Sequence, residues 1–118
     1  MLLYGYKLPM YSSSVPWKVL SSNVALSVLT EGWSLADMEP AAEEDIRTFA
    51  VWVVSDSPFL STPVVQIGLT GFDMDQRDSS RISIKADNIT ESGFQAFITT
   101  WANTRVYAVE FNWFAIGP

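Results

Sequence analysis

At 118 residues the chain has the length of one domain, and 48 % apolar against 17 % charged residues argues for a packed core rather than disorder. Thirteen acids against seven bases leave a net charge of −6, which disfavours nucleic acid and anionic membrane surfaces, because both need clustered Lys and Arg. With no Cys and no His there is no disulfide, thiolate zinc site, cysteine nucleophile or Ser-His-Asp triad, and no 18-residue apolar run predicts membrane insertion.

In chain order, residues 1–16 are rich in Tyr, Ser and Pro and read as an arm or an edge strand. They hold no charged n-region followed by an apolar stretch, so no signal peptide is read there, and cytoplasmic residence or release without a signal is expected. Residues 17–29 carry short β-like runs. Over residues 34–45, Ser34 offers an N-cap, but Pro40 interrupts any helix, which predicts a loop with at most a turn or two. The acid run Glu43-Glu44-Asp45 reads as a solvated loop.

From Thr48 the period becomes two. Phe49, Val51 and Val53 share one face of TFAVWVV, and Ala50, Trp52 and Val54 share the other. Asp56-Ser57-Pro58 breaks that strand, and PVVQIGLTGF begins the next. In RISIKAD, Ile82, Ile84 and Ala86 are expected inward, with Arg81, Ser83 and Lys85 outward. Glu91-Ser92-Gly93 turns into FQAFITTW, and Ala102-Asn103-Thr104 turns into RVYAVEFNWFAI. Short strands separated by turns describe an all-β, antiparallel sandwich or barrel.

The aromatic tail is mostly sheet packing: Tyr107, Val109, Phe111, Trp113 and Ala115 alternate along one face, with Trp113 expected in the core. Trp101 and Tyr107 differ because they flank a turn, where sandwich loops present binding groups. A rim indole can stack on the apolar C–H face of a sugar while a guanidinium such as that of Arg81 forks onto its hydroxyls. Rim aromatics also make oligomer contacts, so both readings stand at this point. The loop Asp73–Asp78 has three carboxylates in six residues but lacks the glycine and distal glutamate of a calcium loop, so no metal or other cofactor is expected. No acid is marked for a raised pKa, and the chain leaves little room for a deep cleft, which argues against a glycosidase or any other enzyme.

The pieces PVVQIGLTGFDMD, DSSRISIKADNITESGF, TTWANTRVY and FNWFAIG together resemble the H-type lectin domain of snail agglutinins and discoidins. The resemblance runs from about Thr48 to Gly117. It implies a six-stranded antiparallel β-sandwich over residues 46–118, assembled as a parallel homotrimer, with residues 1–45 left as an arm or extra strands. It further implies binding of glycans ending in N-acetylgalactosamine or galactose, in clefts between protomers. By resemblance the sugar-binding positions are Arg81, Trp101, Ala102 and Tyr107, joined by an acid of the N-terminal half, Glu44 or Asp45. Ala102 stands where snail agglutinins carry a histidine, which removes one sugar contact. Ile98 occupies a place where some members have a disulfide cysteine. The sequon Asn88-Ile89-Thr90 reads as a turn capped by its threonine. The alternative function is a structural trimerisation module, a fibre or tail piece without sugar binding.

Overall fold

The computed structural model describes residues 16–37 and 46–118. Within them lie six strands: β1 (Lys18–Ser27), β2 (Ile46–Val54), β3 (Val64–Met74), β4 (Ser83–Thr90), β5 (Gly93–Trp101) and β6 (Val106–Gly117). They form two three-stranded sheets, ordered β1-β6-β3 and β2-β5-β4, and every pairing is antiparallel. Alternation predicted an antiparallel sandwich or barrel and the resemblance a six-stranded sandwich; the structure is that sandwich, with its first strand lying ahead of residue 46.

The two central strands supply most of the core. In β5, Phe94, Ala96, Ile98 and Thr100 point inward, and in β6 so do Val109, Phe111, Trp113 and Ala115. Each large side chain among them stabilises the fold by roughly 1.5–3 kcal/mol through removal from water. Phe94 meets Trp113 edge to face across the two sheets, with centroids 5.3 Å apart. Ile82, Ile84 and Ala86 pack on the core as their alternation requires.

The stretch read from sequence as an arm or extra strands contains β1, which pairs along its whole length with β6, from Lys18↔Gly117 to Ser27↔Ala108. Leu26 is buried, and Leu20 and Val24 pack beside it. The segment after β1 folds back through turns: Trp33 N–H donates to Thr30 O at 3.1 Å, and Asp37 N–H to Ser34 O at 3.3 Å. Ser34 therefore opens a single turn. Leu35 is fully buried, its carbonyl accepts Val106 N–H at 2.8 Å, and Trp33 Nε1 donates to Val106 O at 2.9 Å. This segment clamps the start of β6.

Besides a slip between Leu69 and Gly71 in β3, two local features depart from simple alternation. The register against β3 shifts between Asp73↔Ala108 and Met74↔Val106, so Tyr107 is the extra residue of a β-bulge. The bulge lets both Val106 and Val109 face the core, at 0 % and 2 % exposure, and re-aims Tyr107. A second shift, in β4, accommodates Asn88 at φ 50°, a left-handed conformation that Asn tolerates. Within the sequon, Thr90 Oγ1 accepts Ser92 N–H and donates to Gly93 O, so its hydroxyl caps the β4–β5 turn.

Candidate functional site

The end of the sandwich where β5 passes into β6 gathers the polar side chains that the core rejects. Thr100 and Thr104 are fully buried, and their hydroxyls explain why. Thr100 Oγ1 donates to Arg81 O at 2.6 Å, and Thr104 Oγ1 to Ser79 O at 2.5 Å. Two threonines thus staple the turn to the segment that leads into β4. Between them the chain turns through Ala102, at φ 59°, where a left-handed alanine costs roughly 1–2 kcal/mol. The neighbourhood holds it there: Arg47 Nη2 donates to Ala102 O at 2.7 Å, and the Ala102 methyl is buried.

Arg81 sits two residues before β4 rather than heading the strand itself. It is half-buried, its carbonyl accepts from Thr100, and its Nη1 reaches Thr104 Oγ1 at 3.5 Å. It has no carboxylate partner among the described residues. Trp101 continues the outer face of β5 and exposes 37 % of its surface, opposite Ile46 at the start of β2. Trp101 and Tyr107 make no ring pair, so they share the rim without stacking on each other.

Tyr107 belongs to a cluster that sequence reading missed. Its hydroxyl donates to Asp75 Oδ2 at 3.1 Å, and Arg105 Nη1 lies 3.5 Å from the same oxygen. Arg77 closes on the carboxylate through Nε, at 2.9 and 3.2 Å from its two oxygens, and through Nη2. The Arg77 backbone N–H adds a further bond to Oδ1 at 3.0 Å. The Arg77 side-chain and backbone donors hold the Asp75 carboxyl well below the usual carboxylate range, against the opposing effect of its burial, and the Tyr107 hydroxyl adds to them. The same contact pushes the Arg77 guanidinium further up. The Asp73–Asp78 loop is thus organised by arginines, and no group of acids among the described residues is arranged to hold a metal ion. The signal available in sequence was Asp75 two residues before Arg77, but only the bulge at Tyr107 makes Asp75 central.

Of the positions predicted for sugar, the structure brings Arg81, Trp101 and Ala102 to one turn, with Tyr107 at the start of the next strand. The Ala102 side chain points away from solvent. Glu44 and Asp45 lie outside the described residues.

The profile of the H-type lectin domain matches residues 53–116. This chain belongs to the H-type lectin family. Its lectin domain is a carbohydrate-binding fold and not that of an enzyme. Over 71 residues, 60 % of this chain and 62 % of the other, it is 44 % identical to "ATP synthase subunits region ORF 7" of Fuscovulum blasticum. It is 31 % identical over 112 residues to Discoidin-2 of Dictyostelium discoideum, spanning 94 % of this chain and 40 % of that one. The chain therefore spans less than two thirds of either relative. The structure of wild-type discoidin II from Dictyostelium discoideum superposes with a TM-score of 0.72 at 28 % identity, covering 92 % of the lectin chain and 39 % of the other. The tailspike protein gp49 from Pseudomonas phage LKA1 shares the fold alone, at a TM-score of 0.58 and 15 % identity over 85 % of this chain and 15 % of that one. Among the described residues no helix is long and apolar enough to cross a membrane.

Proposed function

We propose that the lectin domain binds glycans ending in N-acetylgalactosamine or galactose at the β5–β6 end, in clefts between the protomers of a homotrimer. The observation that carries this reading is Arg81, a half-buried guanidinium without a carboxylate partner among the described residues, fastened to the turn that displays the exposed Trp101 indole. The guanidinium supplies charge-assisted hydrogen bonds to sugar hydroxyls, and the indole takes the apolar face of the ring. Tyr107 spends its hydrogen on Asp75, so towards a ligand it offers lone pairs and accepts from a hydroxyl. With the Ala102 methyl buried, that position contributes backbone alone.

The trimer is supported by the outer face of β2-β5-β4. Ile46, Trp52 and Val54 expose 68 %, 54 % and 72 % of their surfaces there, and Ala50 lies opposite Phe97. Trp101 stands at the end of this apolar face, so a neighbour packed on it completes the rim. The register partner of Trp101 is Ile46; the acid proposed for the cleft, Glu44 or Asp45, lies outside the described residues.

Calorimetric titration with N-acetylgalactosamine and galactose tests the proposal. Wild type should bind and Arg81→Ala should lose about ten- to a hundredfold, the equivalent of ~1.5–3 kcal/mol. Equal binding by the variant would place the site elsewhere. A wild type that binds neither sugar would leave only the trimeric scaffold.

A further inference from the structure

The outer face of β1-β6-β3 lies on the opposite side of the sandwich from the Trp52 face, and no part of the proposed end site uses it. Its composition is unusual for a solvent face. Lys18 is the only base in the three strands, and it is turned to the Ser57 and Pro58 carbonyls, which its Nζ reaches at 2.9 and 2.8 Å. The middle of the face is uncharged. Asn23 and Asn112 stand opposite each other, with Gly68 beyond Asn112, and the next row sets Phe114 against Gln66. The Asn23, Gln66 and Asn112 side-chain amides are exposed, and none hydrogen-bonds another described residue. Phe114 leaves 40 % of its surface open beside them.

The face is also hollowed. A depression of about 350 Å³ runs along the Asn23–Asn112 and Phe114 rows, and another of about 300 Å³ continues past Glu110 towards Asp73. Small residues line both, Ser21 and Ser22 in the first and Ala25, Gly71 and Ala108 in the second. Four successive rows at the rise of an antiparallel strand give the track a length of about 20 Å.

We propose that this face is a second carbohydrate-binding site, which takes a neutral oligosaccharide chain lengthwise. Each unspent amide carries two donors and an acceptor, the complement of sugar hydroxyls, and the Phe114 ring offers a surface for the apolar face of one pyranose. The absence of outward bases, in a chain of net charge −6, rejects sulfated or uronic-acid polymers and nucleic acid. One end of the face is apolar, with Val19 and Val64 exposed on either side of Ile116, so the sugar track is confined to the amide rows beyond it.

The test is nuclear magnetic resonance of ¹⁵N-labelled wild type and Arg81→Ala, so that loss of the end site does not affect the result. The probes are the neutral tetrasaccharides of galactose, glucose, mannose and xylose, with heparin as the anionic control. At least one tetrasaccharide should shift the Asn23 and Asn112 side-chain amide signals saturably in both proteins. Phe114→Ala should weaken that binding about tenfold or more, with the backbone spectrum otherwise kept. Three results would each overturn the proposal: no saturable shift with any tetrasaccharide, shifts unchanged in Phe114→Ala, or heparin moving the same signals as strongly.

Discussion

At the scale of single residues, the proposed end site rests on Asp75 as well as on its rim groups, because Asp75 holds Tyr107, Arg77 and Arg105. Asp75 orients the Tyr107 hydroxyl and anchors Arg77 and Arg105, so Tyr107→Phe should weaken sugar binding about tenfold. The hydroxyl's hydrogen bond to a buried carboxylate contributes on the order of 1 kcal/mol to folding, so the melting temperature should fall by a few degrees. Titration calorimetry and thermal melts check the two effects separately. The carboxyl also predicts an acid response. Its folded pKa is depressed below that of an unfolded aspartate, near about 3.9, so its contribution is full above that value and declines as pH falls through it. The difference in melting temperature between wild type and Asp75→Asn should stay constant from about pH 8 to pH 5 and shrink below about pH 4. A difference that grew in acid would show that the Asp75 carboxyl is not held charged by its arginines. The placement of Arg81, which we propose as a site residue, was not legible from sequence, because its tether to Thr100 and Thr104 joins residues 19 and 23 positions apart.

At the scale of elements, the strands were legible because their side chains alternate, and β5 with its Phe94, Ala96 and Ile98 is the plainest case. What alternation hides is the bulge. Tyr107 reads as a core-facing partner of Val109, and only pairing with β3 shows that the register slips there and turns the ring towards Asp75. The β4–β5 turn leads into a close backbone approach at Gly93. A Cβ at Gly93 would fall 2.4 Å from Val53 O, so Gly93→Ala forces β5 away from β2. That overpacking should cost ~1–3 kcal/mol or more and lower the melting temperature by about 10 °C. A scan showing a change of only a degree or two would mean that the hairpin yields without disturbing the sheet.

At the scale of the whole molecule, exposed apolar side chains collect on the β2-β5-β4 face, with Trp52 near its middle. If three copies share that face, sedimentation equilibrium of wild type should fit a trimer across micromolar concentrations. Trp52→Lys should give a folded monomer whose affinity for a monosaccharide falls, because the cleft loses its neighbour. A monomeric wild type would remove the trimer and with it the interprotomer site. Retention on galactosamine beads should persist in EDTA, since Asp75 is occupied by arginines rather than a cation. Loss of retention that calcium restores would count against this arrangement.

Sequence by itself determined the fold class, the lectin family and the turn that carries Trp101, because period-two alternation and a run of spaced motifs are local properties of the chain. Tertiary structure alone decided that β1 is an integral strand, that Ala102 faces inward, that Asp75 organises the rim and that one sheet face exposes Trp52 and Val54 while the middle of the other is lined with amides. Each of these depends on which strands become neighbours. Pairing and register are set by the packing of the whole sandwich, through contacts such as Val106 with Leu35 that join residues far apart in the chain.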